Sequence, residues 1–223
     1  MAQRKLNRRQ MAIQLTALCT TWYALARPKP ANARETLKPE QRILILGDSM
    51  SSEYGLKRGT GWVQLLIKKL NQAPRATQVI NASVSGETTA GGRSRLSALL
   101  QQHQPTHLVL ELGGNDALRG LSLDMTQANL RAMAQSAKAA GAKVVLVGIQ
   151  IPPNYGRAYS EGFAQLFGKV AKAENLPLVP FLLKDVADSP EAREFFQADN
   201  IHPNERAQPQ ILNNIWAVLK EML

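Results

Sequence analysis

Five short apolar runs, each followed by a turn and then by apolar positions at helical spacing, set the plan of this chain. Arg42–Gly47 reads R-I-L-I-L-G, four consecutive apolar residues before a glycine, the pattern of a strand covered on both faces. Gln78–Asn81, His107–Leu112, Lys143–Ile149 and Leu178–Pro180 repeat the theme more briefly, and Lys143–Ile149 is the most strongly β-prone of them. Between these runs the period changes. A helix is expected after Gly59-Thr60-Gly61, with Thr60 as its N-cap and Trp62, Leu65, Leu66 and Leu70 on one face. The next carries Leu96, Leu99 and Leu100 inward and stops before Pro105. Further helices are expected at about 124–140, with Leu130, Met133, Ala134 and Ala137 inward and Gly141 as the stop, at about 158–174, and over Ile211–Leu219.

Strands alternating with helices specify an α/β fold, a three-layer αβα sandwich around a parallel sheet. Five strands suit the flavodoxin-like order 2-1-3-4-5. In that order the first strand lies between the second and third. The connections leaving those three strands then meet at one edge, and in open α/β sheets the carboxyl edge is where ligands bind.

The residues on those connections carry the chemistry. Gly47-Asp48-Ser49 follows the first strand, where glycine permits a sharp turn and Ser49 stands as a candidate nucleophile; taken alone, a serine there is more often a helix cap or turn residue than a catalyst. A serine needs a base, and the base needs a carboxylate to fix its tautomer. His103 ends a helix in a polar stretch and His107 precedes a strand at the opposite edge, so both read as structural. His202 lies in Ala198-Asp199-Asn200-Ile201-His202-Pro203, where a turn can fold Asp199 back onto the imidazole. The backbone amides of Ser49 and Gly86 and the Asn115 carboxamide can serve as donors to an oxyanion, although Gly86 also reads as a turn residue and Asn115 as an Asx-turn. No Gly-x-Ser-x-Gly elbow occurs, which disfavours the α/β-hydrolase route. Asp48 should brace the turn, and Glu111, inside an apolar strand, needs a partner such as Arg119 or backbone donors.

Gly47-Asp48-Ser49, Gly86, Gly114-Asn115-Asp116 and Asp199-x-x-His202 resemble the four blocks of the SGNH (GDSL-type) hydrolases in order and spacing. The stretches E-L-G-G-N-D-A-L-R-G, P-P-N-Y-G-R-A-Y and I-H-P-N-E-R-A-Q-P are similar, more narrowly, to the bacterial periplasmic thioesterase, arylesterase and lysophospholipase group. The resemblance runs from about residue 42 to the C-terminus. It implies hydrolysis of acyl esters and thioesters, with Ser49 as nucleophile, His202 as general base, Asp199 as its orienting acid, Ser49, Gly86 and Asn115 as the oxyanion hole, and no metal or cofactor. Met50 stands where the family name has leucine, a volume-conserving exchange. Two other readings stay open: a carbohydrate O-deacetylase of the same fold, and a non-catalytic flavodoxin-like binding module.

Charge changes the picture only at the N-terminus. Of the formal +10 over 223 residues, six basic residues and no acid fall in residues 1–33, leaving 21 basic against 17 acidic residues in the remainder. With no basic run interleaved with aromatics, that excess does not suggest nucleic acid. Residues 1–33 have the layout of a secretory signal peptide: a basic opening, an apolar stretch over Met11–Ala26, and the small-x-small site Ala31-Asn32-Ala33. Arg8-Arg9 is compatible with twin-arginine export, and a Sec signal fits equally. Its removal would leave 34–223 as one domain without cysteine or stable membrane anchor, periplasmic or secreted, and stabilised by its core alone.

Overall fold

The structure, a computed structural model, describes residues 40–223; the expected leader lies outside the described residues. Five parallel strands, β1 (Gln41–Gly47), β2 (Thr77–Asn81), β3 (His107–Glu111), β4 (Lys143–Val147) and β5 (Leu178–Val179), form one sheet in the order β2-β1-β3-β4-β5. The helices are α1 (Trp62–Leu70), α2 (Thr89–His103), α3 (Gly114–Leu118), α4 (Leu123–Ala139), α5 (Arg157–Glu174) and α6 (Gln208–Leu219).

Alternation along the central strands sorts their side chains between two cores. Leu44, Leu46, Leu108, Leu110 and Leu146 pack with α2, α4 and α5 on one face, where Phe163 and Phe167 meet edge to face at 5.2 Å. Ile43, Ile45, Val109, Val145 and Val147 pack with α1 and α6 on the other. Burial on both faces explains why these strands read as continuous apolar runs.

Three local expectations are corrected. Thr60 does not cap α1: the N-cap is Gly61, and the Glu53 carboxylate accepts from the Gly59 and Gly61 amides (both to Oε1, at 3.0 and 2.8 Å) while Gln208 Oε1 accepts from Trp62 N at 3.0 Å. The Glu53 carboxylate reaches forward to the turn amides ahead of the helix, and the Thr60 hydroxyl donates to Lys57 O instead of capping. The segment after β3, expected as a loop, winds into the single-turn helix α3. Gly47 has no positive φ and belongs to β1, so conformational freedom is not its role. A Cβ there would stand 2.5 Å from Glu111 Oε2 and 2.8 Å from Ser51 Oγ, and the glycine is required for space.

Candidate active site

The connection after β1 begins as a tight turn: the Asp48 carbonyl accepts from Ser51 N (3.2 Å) and Ser52 N (3.0 Å), and Asp48 Oδ1 accepts from Met50 N at 3.0 Å. Ser49 is thereby presented at the carboxyl end of the strand. From the far end of the chain, the connection between β5 and α6 folds into a short hairpin closed by Gln197 N to His202 O (2.8 Å) and Asn204 N to Phe195 O (2.7 Å). Asn200 takes a left-handed φ of 55° at its tip. That tip brings Asp199 and His202 together.

Asp199 Oδ1 accepts from Ile201 N (2.9 Å) and His202 N (3.0 Å), and Oδ2 accepts from His202 Nδ1 at 2.6 Å. His202 Nε2 stands 2.9 Å from Ser49 Oγ. With the ring proton on Nδ1 facing the carboxylate, Nε2 is the acceptor for the serine hydroxyl. Desolvation pushes Asp199 upward, but the three hydrogen bonds and the nearby imidazole outweigh it and hold the carboxyl at about 2.

The loops after β1, β2 and β3 are tied to one another. Val84 N donates to Gly47 O at 3.1 Å, Asn81 Nδ2 to Ser51 O at 2.8 Å, and the Ser52 and Ser85 hydroxyls meet at 2.7 Å. Gly86, at φ 78°, has its carbonyl held by Arg119 Nη2 at 2.9 Å. Asn115 Nδ2 donates to Asp48 Oδ2 at 2.9 Å, which leaves the amide's second hydrogen uncommitted. Among the described residues neither the Ser49 nor the Gly86 amide has a hydrogen-bond acceptor. The structure therefore brings all five expected residues together at one sheet edge, Ser49, Gly86, Asp199 and His202 on loops and Asn115 on the first turn of α3.

The remaining ionisable residues sort as follows. Asp48 braces the turn; burial raises its carboxyl to about 6 against the hydrogen bonds from Met50 and Asn115. Glu111 is fully buried and accepts from Ser51 Oγ (2.6 Å) and Asp48 N (3.3 Å). Arg119, the partner suggested for it, goes to Gly86 instead, because α3 directs it to the exposed side of the edge. His107, buried at the amino end of β3, bonds Thr106 Oγ1 (2.8 Å) and Met222 O (3.0 Å), and burial pushes its imidazole down. His103 stays at the end of α2.

Sequence reasoning missed two contributors. Tyr54 tilts over the His202 ring at 4.4 Å between centroids, and Gln197 ties the two loops by donating to Tyr54 O at 2.9 Å and Pro203 O at 3.1 Å. A lone exposed tyrosine in a polar loop carries no periodic signal. Among the described residues no group of three or more His, Cys, Asp or Glu is arranged to hold a metal ion.

A serine, imidazole and carboxylate in line, with free amides beside the serine at the carboxyl edge of a 2-1-3-4-5 sheet, define a serine hydrolase built on a flavodoxin-like frame. The chain belongs to the GDSL-like lipase/acylhydrolase family, whose model matches residues 45–208, and the non-catalytic binding module is thereby set aside. It is 49% identical over 183 residues to the esterase TesA of Pseudomonas aeruginosa, covering 82% of this chain and 90% of that protein. To the thioesterase 1/protease 1/lysophospholipase L1 of Escherichia coli K12 it is 45% identical over 169 residues, 76% of this chain and 78% of that one. The crystal structure of the psychrotrophic esterase EstA from a Pseudoalteromonas species, inhibited by monoethylphosphonate, superposes with a TM-score of 0.77 at 42% identity, covering 82% of this chain and 98% of that one.

Proposed function

We propose that this protein hydrolyses carboxylic esters and thioesters of acyl chains through an acyl-enzyme on Ser49. The observation that carries the proposal is the unbroken line from Asp199 Oδ2 through His202 to Ser49 Oγ, with contacts of 2.6 and 2.9 Å. Ser49 Oγ attacks the acyl carbon as its proton passes to His202 Nε2, and Asp199 steadies the imidazolium. The carbonyl oxygen takes the negative charge, facing the Ser49 and Gly86 amides and the Asn115 carboxamide. Collapse expels the alcohol or thiol, which leaves with the proton from Nε2. Water, deprotonated by the same nitrogen, then attacks the acyl-serine and releases the acid. A relative named as an esterase, another named as a thioesterase and lysophospholipase, and an esterase inhibited by a phosphonate support this chemistry.

Preference for an acyl chain over a sugar rests on where apolar surface lies. Tyr54, Val84, Leu121, Met125, Tyr155 and Ile201 are the large apolar side chains left exposed among the described residues. Tyr54, Val84, Tyr155 and Ile201 occupy strand-to-helix connections, while Leu121 joins α3 to α4 and Met125 lies in the first turn of α4, so the exposed apolar side chains collect on the chain segments that follow the carboxyl ends of the strands. A carbohydrate site would call for polar groups there, whereas a hydrocarbon chain gains from contact with such a rim.

The test is Ser49→Ala with a substrate series. Turnover is expected to fall roughly 10³-fold or more, and labelling by a fluorophosphonate to vanish. In the native enzyme p-nitrophenyl octanoate and a long-chain acyl-CoA should be hydrolysed with higher kcat/KM than p-nitrophenyl acetate or an acetylated sugar. Unchanged turnover in the mutant would end the proposal, and a preference for the sugar would replace its substrate. The proposal includes export, supported by the leader over residues 1–33, and is checked by the mass of the mature protein recovered from outside the cytoplasm. No helix among the described residues is long and apolar enough to cross a membrane.

A further inference from the structure

The reaction above makes no use of Glu111, yet this carboxyl group lies fully buried directly under the nucleophile turn. It ends β3 opposite Gly47 in the parallel register, in a strand otherwise apolar from Leu108 onward. Taking an ionisable group out of water is costly, and an apolar residue of similar volume would fill a central strand at no such cost. Its surroundings show what the carboxyl does.

We propose that Glu111 is a positioning residue for the hydrolysis: its carboxyl holds the Asp48 amide and the Ser51 hydroxyl, which flank Ser49 in the chain, and so fixes the nucleophile relative to His202 and the oxyanion donors. The inference rests on Ser49 being the nucleophile, as proposed above.

Four contacts carry it. Glu111 Oε2 accepts from Asp48 N at 3.3 Å, where the chain leaves β1. The Ser51 hydroxyl lies 2.6 Å from the same oxygen, and the direction of that bond is set: Trp62 Nε1, which can only donate, approaches Ser51 Oγ at 3.2 Å, so the serine's own hydrogen goes to Glu111. The Ser51 carbonyl is held by Asn81 Nδ2 at 2.8 Å, making Ser51 a junction between β2, β3 and α1. Gly47 completes the arrangement, because any Cβ there would stand 2.5 Å from Glu111 Oε2 and drive the carboxyl out. The glycine before Asp48-Ser49 and the glutamate 64 residues later thus form one feature.

The second oxygen, Oε1, is buried with no hydrogen-bond partner. An unpartnered oxygen out of water costs more on a charged carboxylate than on a neutral acid. Burial pushes the Glu111 carboxyl well above the ordinary range, and the neighbouring Asp48 pushes it the same way. Both effects favour the uncharged form of Glu111, while Asp48, with a donor on each carboxylate oxygen, is better placed to hold charge beneath the turn. That charge accepts from Asn115 Nδ2 and Met50 N.

The experiment compares Glu111→Gln, Glu111→Ala and Ser51→Ala in the full chain, reading kcat, KM for p-nitrophenyl octanoate, and the thermal midpoint. Small misplacement of a reacting group costs rate rather than ground-state binding, so Glu111→Ala should lower kcat about tenfold to a hundredfold with KM changed less than about threefold. Glutamine keeps the accepting oxygen at unchanged charge and should restore kcat to within about threefold of the native value, with Ser51→Ala intermediate. A residue that only supports the fold would lower the midpoint and leave kcat of the folded enzyme alone. Native kcat in Glu111→Ala, or a glutamine variant as impaired as the alanine one, would overturn the proposal. Should Glu111→Ala fail to fold, Ser51→Ala decides: a native kcat overturns the proposal, and a reduced kcat at constant KM supports it. Turnover persisting in Ser49→Ala would instead remove the functional reading itself, whereas an inactive Ser49→Ala beside a fully active Glu111→Ala removes only this inference.

Discussion

Replacing Asp199 by asparagine tests the proposed triad more sharply than removing the side chain does. The two Asp199 oxygens accept from three donors: Oδ1 from Ile201 N and His202 N, Oδ2 from His202 Nδ1. An amide offers one accepting oxygen, and its other end, an NH2, only donates. If its oxygen keeps the two backbone amides, its NH2 faces Nδ1, which must give up its proton; Nε2 then carries hydrogen and cannot take the proton of Ser49. The flipped amide preserves the working tautomer but opposes two N–H groups, at about 1–3 kcal/mol for each donor left unmet. The inactive arrangement is therefore favoured by at least about 2 kcal/mol, and the charge-assisted bond that steadies the imidazolium, about 1.5–3 kcal/mol, is lost in either arrangement. Because the Asp199 side chain is 39% exposed, solvent softens both effects, and the lower end, about 3.5 kcal/mol or roughly 400-fold in kcat, is expected. Alanine leaves room for a water that can accept from Nδ1–H, so Asp199→Ala should retain more activity than Asp199→Asn. Steady-state hydrolysis of a p-nitrophenyl ester measures both. An asparagine variant within about fivefold of native activity, or one better than alanine, would refute this account of the tautomer.

Gly47→Ala forces a Cβ to within 2.5 Å of Glu111 Oε2 and 2.8 Å of Ser51 Oγ, and should lower stability by about 1–3 kcal/mol, read as a fall in urea midpoint, with kcat reduced in the folded fraction. A neutral outcome would mean that the carboxyl can move aside freely. The raised Glu111 carboxyl gives a pH test: the unfolded chain ionises near the ordinary carboxylate value while the folded protein keeps the proton, so native stability declines from that value up to the folded one, by up to about 1.4 kcal/mol per pH unit. Glu111→Gln lacks this penalty, so its thermal midpoint should gain on the native one as pH rises from 4 towards 7; a constant difference would show that Glu111 ionises normally. Tyr155→Ala, on the exposed turn after β4, should raise KM for the octanoate ester more than for the acetate, and identical ratios would remove that loop from the acyl site.

What was legible in the sequence was whatever depends on local pattern. Strands buried on both faces show as unbroken apolar runs, and the order β2-β1-β3-β4-β5 follows from counting alternations. Because ligands collect at the carboxyl edge, the residues just after β1, β2 and β3 stood out before any coordinates, and Asp199 and His202 came with a three-residue spacing that a turn can close. What stayed hidden depends on register and on side chains meeting across long separations. That Gly47 faces Glu111 is fixed only once β1 and β3 are aligned residue by residue, so the glycine read as a turn former when it is a space maker. Arg119 reaches Gly86 rather than Glu111 because the segment expected as a loop winds into α3. Thr60 is no cap because Gly61 takes that position, and the Glu53 carboxylate that holds the Gly59 and Gly61 amides leaves no periodic trace in the sequence.

These hidden contacts explain how a site can be assembled from four connections without any one of them being rigid alone. Each proposed oxyanion donor is fixed by a group from a different loop: the Gly86 carbonyl by Arg119 after β3, the Asn115 amide by Asp48 after β1, and the Ser49 turn by Glu111 and Asn81 from β3 and β2. Every tether engages the face of the donor group that the substrate does not need, leaving an N–H free. Donors held this way do not reorganise when charge appears on the carbonyl oxygen, and avoiding that reorganisation is where electrostatic catalysis gains most of its advantage over water. The tethers from Asp48, Glu111 and Asn81 are buried or half-buried hydrogen bonds rather than exposed ion pairs, so salt should weaken them little, and only the Arg119 contact to Gly86 lies exposed. The upward push on the Glu111 carboxyl fits this design, since a second negative charge beside Asp48 would oppose the negative charge that the reaction has to build a few bonds away.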